Sequence, residues 1–253
     1  MSRVKTERSD GIATRQRLKV VAQRLFALHG TDGISVKDIV DAAGQRNNAS
    51  LHYHFGSKEA LIGELLIEGA NRVDALRQAM LDKMISNGGP AGVRDILEAL
   101  MRPVEQLIEG DEHESTYMRF LSNIQMNHRG LLRKYLTDKS NVGYRRCLQH
   151  LWKLLPDIPP ALLEQRMSLM GIYANAILAA KETALSESPA PNRFWKRKYA
   201  MENIIDTLQA VLECAPSDIT LDLLDPAGGS PAGETRQRIE SKHKPAPKQA
   251  QPK

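Results

Sequence analysis

Apolar residues recur every three or four positions along most of this chain, and no alternating run rich in β-branched residues interrupts them. That spacing matches the 3.6-residue period of a helix and not the two-residue period of a strand, so an all-α fold is expected. Leu18, Val21, Ala22, Leu25 and Phe26 mark one face of a first helix, with Ser9 or Asp10 placed to cap it and Gly30 to stop it. Ser35 opens a second helix with Asp38 three residues on, the spacing of a capping box. Val36, Ile39, Val40 and Ala43 turn inward, and Gly44 ends it. Asn47 or Asn48 caps a short third helix that runs to about His54. After Phe55-Gly56, Ser57 caps a long fourth helix, with Glu59 in its first turn. Its apolar stripe is Leu61, Ile62, Leu65, Leu66, Val73, Leu76 and Met80.

Asn87-Gly-Gly-Pro90 ends that helix, and further helical patterns follow at about 91–109, 114–127, 129–155, 160–186 and 193–214. Pro103 is expected to kink or split the first of these. From Pro226 the chain turns to Pro, Gly, Ala, Lys, Gln and Arg, which cannot offset ordering entropy by burial. The expected organisation is a flexible basic arm at 1–10, a compact unit at 11–58, a larger helical domain at 59–214 and a disordered tail at 215–253.

Charge separates these regions. Residues 1–58 hold ten Lys/Arg against five Asp/Glu, so the whole net charge of +5 lies there and the remainder sums to zero. Such clustering suits attraction to phosphates, although a basic tail can also serve solubility. Aromatics at 5% suit helix packing better than a sandwich or barrel. Cys147 and Cys214 stand at no metal-ligand spacing, which fits a reducing cytoplasm and neither a disulfide framework nor a zinc site. The polar N-terminus has no apolar signal core. The longest uncharged apolar run, Leu169 to Ala180, falls short of the ~18 residues of a membrane span. A soluble cytoplasmic protein without membrane partner is expected. No nucleophile elbow, phosphate-binding glycine loop or His-Glu-x-x-His is present, so no enzymatic activity and no cofactor is expected.

The positive excess surrounds residues 35–54, which read as a helix, a tight turn and a second short helix. A helix fits the major groove of B-DNA, and a helix-turn-helix braces the reading helix against the backbone. Arg46, Asn47, Asn48 and Ser50 lie at the end that would enter the groove, with side chains suited to base edges. His52, Tyr53, His54 and Lys58 are better suited to phosphate, and Ser35 at a helix N-terminus is a further phosphate grip. Asn47, Asn48 and Ser50 also read as ordinary caps and surface polar residues. His52 and His54, two apart on a helix, point to different faces and make a poor metal pair. Phe55 is expected to seal the unit against the first and fourth helices.

Three spaced stretches carry a resemblance: Leu25-Phe-Ala-Leu-His-Gly30, Ile34-Ser-Val-Lys-Asp-Ile39 and Leu51-His-Tyr-His-Phe-Gly-Ser-Lys-Glu-Ala-Leu61. In this order they resemble the TetR family of bacterial transcription regulators over roughly residues 11–65. The resemblance implies a three-helix DNA-binding domain completed by the start of the fourth helix. It further implies a larger helical domain for ligand binding and dimerisation. Gly44 to Phe55 is one step longer than the family's usual spacing, an apparent insertion within Gln45-Arg-Asn-Asn48. Tyr53, His54 and Lys58 carry over as backbone contacts; which of Arg46, Asn47 and Asn48 reaches a base stays open.

The family pairs its last two long helices with those of a second copy. Here they carry Leu169, Ile172, Tyr173, Ala176, Ile177 and Ala180, then Ile204, Ile205, Leu208, Val211 and Leu212, stripes that also read as intrachain core. Candidate lining for an apolar or amphipathic small-molecule effector is Met84, Met101, Tyr117, Phe120, Leu121, Ile124, Tyr144, Leu148, Trp152 and Met170, with Met80, Met118 and Met167 beside them. Asp111-Glu-His-Glu114 has metal-like residue types but reads as a solvated, acid-rich helix start. The expected function is a homodimeric repressor released from a palindromic DNA operator by that effector. Activation, or ligand-independent DNA binding on the same fold, is the alternative.

Overall fold

The structure, a computed structural model, describes residues 2–110, 115–137, 140–186 and 194–224. Among these it is all-α, as the period predicts. The order is α1 (Ser2–His29), α2 (Val36–Ala42), α3 (Ala49–Phe55), α4 (Lys58–Ser86), α5 (Val93–Gly110), α6 (Tyr117–Asn127), α7 (Arg129–Tyr135), α8 (Val142–Leu154), α9 (Pro160–Ser186), α10 (Ala200–Glu213) and α11 (Asp218–Leu224).

The first three helices and the start of α4 form a small head around Leu18, Ala22, Phe26, Ile39, Val40, Leu51 and Leu61, all fully buried. The remaining helices form the body, and one continuous apolar core joins the two. The joint is specific: Phe26 of α1 stacks on Phe120 of α6 with ring centroids 6.1 Å apart. Beside it Gln23 donates to the Thr116 hydroxyl at 2.9 Å.

Several boundaries differ from expectation. The arm expected at 1–10 is helical from Ser2, so neither Ser9 nor Asp10 caps α1. Extending a formed helix adds one bond per residue without a new nucleus, which outweighs the charge pattern there. Residues 218–224, expected within a disordered tail, form α11; residues 225–253 lie outside the described residues, as do 111–114. Leu76, expected on the buried face of α4, stands at the surface. α5 runs continuously through Pro103. Its ring removes the N–H that would reach the carbonyl of Ala99. Arg77 of α4 donates to the adjacent Leu100 carbonyl at 3.2 Å.

The helix expected over 129–155 is instead two, α7 and α8. The break has a visible cause. The Asp74 carboxylate of α4 accepts the N–H groups of Gly143 and Tyr144, each at 3.0 Å, and so supplies the N-terminal cap of α8 from another helix. α6 begins in the same way. Buried Glu182 of α9 accepts from Met118 N at 3.1 Å, Arg119 N at 2.9 Å and the Ser115 hydroxyl at 2.7 Å. Neither Thr116 nor Asn141, the residues at the cap positions, makes a side-chain cap bond of its own.

Two glycines inside α4 allow close approach. A Cβ at Gly69 would land inside the Tyr117 ring of α6, and one at Gly63 inside the Tyr135 ring of α7. Glycine lowers helix propensity, yet here each sits where an aromatic ring rests on the α4 backbone.

Candidate DNA interface and ligand cavity

The reading unit is assembled by local bonds. Ser35 caps α2 with both halves of the box: its Oγ accepts from Asp38 N at 3.2 Å, and Ser35 N donates to Asp38 Oδ2 at 2.7 Å. The Ser35 hydroxyl, which donates to Asp38 Oδ2 at 2.7 Å, and then the Ser35 N–H, with Lys37 and Lys58 nearby, hold the Asp38 carboxyl below its ordinary pKa. Residues 43–48 connect α2 to α3, the place of the extra residue. Asn47, not Asn48, supplies the cap bond of α3: its Oδ1 accepts from Ala49 N at 2.9 Å. Its amide hydrogens remain free to donate outward.

Arg46, Asn47 and Asn48 are exposed and Ser50 is half-buried. Tyr53 is 85% exposed, the most exposed large apolar side chain described. His52 Nδ1 donates to the Gly56 carbonyl at 2.9 Å, and the ring is otherwise exposed. His54 is half-buried, edge-on to the Tyr53 ring at 5.0 Å. Phe55 is half-buried beneath the Arg15 guanidinium at 4.7 Å, and Arg15 is itself paired with Glu64. Phe55 therefore seals the head against α1 under a cation lid and not as deep core.

Lys58 is placed differently from expectation. Its ammonium donates to the carbonyls of Thr31 at 2.6 Å and Ile34 at 2.7 Å. In this structure it ties the start of α4 to the turn before α2 and does not face outward with Tyr53. Lys37, exposed in the first turn of α2 beside Ser35, is the outward cation there. Its position outside the short helix gives it no mark in the residue order.

A cavity of about 240 Å³ opens among α4, α5, α6, α7, α8, α9 and α10. Of the expected lining, Met101, Tyr117, Leu121, Tyr144 and Met170 face it, and so does Met118. Phe120 and Ile124 do not: they are fully buried core, Phe120 against Phe26. Met84 and Leu148 pack against the core outside the cavity wall, and Trp152 is 40% exposed and not part of that wall. The helical period places a side chain on a face but does not say which face meets a void.

The polar lining went unforeseen. Arg77, Gln125, Asn141 and Asn175 all face the cavity. Asn175 donates to the Gln125 carbonyl oxygen at 2.7 Å, so those two amides are bonded to each other. Burial raises the pKa of Tyr117 and Tyr144, and it pushes the nearby Cys147 thiol up to about 12. All three are neutral groups at ordinary pH. Among the described residues no three His, Cys, Asp or Glu gather to hold a metal, and no helix is long and apolar enough to cross a membrane.

The last two long helices divide unequally. Ile204, Ile205, Leu208 and Leu212 of α10, expected at a surface between copies, are buried in the chain's own core. They pack against α5 and α9, which is the physical reason for the difference. α9 does keep an outer apolar face: Leu169 is 51% exposed, Ala176 and Ala180 are exposed, and Ile172, Tyr173 and Ile177 are half-buried. Tyr173 meets Thr207 of α10 at 2.9 Å.

Comparison with known proteins covers both halves. Residues 20–65 match the family model described as bacterial regulatory proteins, tetR family, and residues 98–210 match the tetracyclin repressor-like C-terminal domain. The chain is also similar to the uncharacterized HTH-type transcriptional regulator YdgC of Bacillus subtilis (strain 168). That likeness is 26% identity over 144 residues, 54% of this chain and 71% of that protein. With a helix-turn-helix head and a helical body each matched in order, the chain belongs to the TetR family, as a DNA-binding transcriptional regulator and not an enzyme.

Proposed function

We propose that this regulator is a homodimeric repressor that binds a palindromic operator and leaves it when a small apolar or amphipathic ligand enters the body. The observation that carries the reading is the position of the cavity. Ala70, Val73 and Arg77 of α4 form part of its wall, and the same helix begins at Lys58, whose ammonium is bound into the head. One continuous helix of 29 residues thus touches both the void and the reading unit. A ligand that repositions α4 changes the placement of α3.

On this reading Arg46, Asn47, Asn48 and Ser50 face base edges. Ser35, His52, Tyr53 and His54 are assigned to the backbone, joined by Lys37. Lys58 acts from behind, by holding α4 to the head. Two copies pair through the outer face of α9 together with α10. The two reading helices then address half-sites related by the same two-fold axis.

Footprinting across the protein's own promoter and those of adjacent genes tests this, with affinity measured at several salt concentrations. A palindromic footprint is expected, with log affinity falling linearly with log salt as phosphate contacts release counterions. Affinity indifferent to salt sinks the proposal. Transcription from the footprinted promoter should drop when the protein is added; a rise would make it an activator.

A further inference from the structure

The cavity has one charged wall residue among those described, and its bonding is incomplete. Arg77 is only 7% exposed. Of the five N–H donors a guanidinium carries, one reaches the Leu100 carbonyl at 3.2 Å. Arg77 forms an ion pair with Asp74, but a long one, Nη1 to Oδ1 at 3.6 Å. Asp74 is already committed to the N–H groups of Gly143 and Tyr144 and to the Gln78 amide. Arg77 Nε is buried with no partner at all. The Tyr144 ring lies under the guanidinium at 5.6 Å from its centroid. A buried donor left unmet is costly, and more so when it belongs to a charged group. Desolvation accordingly holds the guanidinium's pKa below its ordinary value, with Asp74 among the groups that offset part of it. The rest of the wall is mainly apolar, with Leu97, Leu100, Met101, Met170 and Leu178 prominent.

We propose that the ligand of this cavity is an amphipathic carboxylate, its head taken by Arg77 and its apolar body lying among the α5 and α9 side chains. The planar guanidinium, with its unbonded Nη hydrogens, matches the two oxygens of a carboxylate. A cavity of about 240 Å³ suits a short ligand, below the roughly 300–1,000 Å³ typical of drug-sized sites. The inference rests on the cavity being the effector site. It goes further by naming the ligand's charge and the residue that reads it. It also gives the ligand a route to the body's frame, since the anion would draw Arg77 away from Asp74, the residue that caps α8 from α4.

Matched probes on the full chain test it: hexanoate, octanoate and decanoate, the corresponding primary alcohols and the corresponding alkylammonium ions, each followed by calorimetry and thermal shift. The best carboxylate is expected to bind at least tenfold more tightly than its alcohol, and the ammonium ion not at all. In Arg77→Gln the carboxylate should fall to the alcohol's affinity while the alcohol is unchanged. Alcohol binding equal to carboxylate binding overturns the proposal, as does a preference that survives Arg77→Gln. The probe series on the unmodified chain decides the ligand class even if Arg77→Gln does not fold. Operator release separates the two claims. Carboxylate binding through Arg77 without loss of DNA affinity removes the effector reading and keeps the anion site. Carboxylate-free release by the alcohols does the opposite, and silence from every probe overturns both.

Discussion

The helices of the head and two helices of the body begin by different means. In the head, α2 starts on Ser35 and Asp38, α3 on Asn47 and α4 on Ser57, every donor and acceptor within three residues of its partner. In the body, α6 starts on Glu182 and α8 on Asp74, carboxylates 64 and 69 residues away along the chain from the first N–H each receives. The head is therefore built from signals a short window contains. In the body, α6 and α8 start on pairs that exist only after the helices have packed. A remote buried carboxylate does two jobs, capping one helix and fastening it to another. A local serine does only the first.

Three substitutions put this contrast at risk, in order of size. Glu182→Ala removes a buried carboxylate and strands Arg119 with two helix N–H groups. Breaking such a buried pair costs about 3–5 kcal/mol, read as a fall in urea midpoint with loss of helix by circular dichroism. Asp74→Ala should cost less, about 1.5–3 kcal/mol, the range for hydrogen bonds to a charged group. Its cation Arg77 is held only loosely at 3.6 Å. Hydrogen exchange should speed up at the start of α8 before it does in the head. Ser57→Ala should cost about 1 kcal/mol, the usual worth of an N-cap serine, with the body's exchange unchanged. If Ser57→Ala proved as damaging as Glu182→Ala, the division between local and remote starts would be wrong.

The same contrast explains what could be read from residue order. The capping box at Ser35, the Ser57 cap and the reading unit were legible because their residues are neighbours. The split of 129–155 was not, since nothing near Val142 announces a start; the acid that makes it is Asp74. Continuity through Pro103 was hidden likewise, with Arg77 bonding the Leu100 carbonyl of the preceding turn from another helix. Lys58 was legible as a cation and not as a brace, because the carbonyls it meets, Thr31 and Ile34, come into range only on folding. In the cavity, apolar type and period identified Met101, Tyr117, Leu121, Tyr144 and Met170. They could not separate Tyr117 and Leu121 from Phe120 and Ile124, which share α6 and match the same apolar pattern.

The two glycines of α4 have a mechanical consequence. Gly63 and Gly69 lie six residues apart, hence roughly 9 Å apart along the helix axis and roughly 120° apart around it. A ring rests in each notch, from α7 and α6 respectively. A rod keyed at two such points can neither slide nor spin without lifting a ring out of its seat, and tilt is the freedom that remains. One of the keys, Tyr117, is also a wall of the cavity, so the part that sets the pivot of α4 is within reach of whatever fills the void.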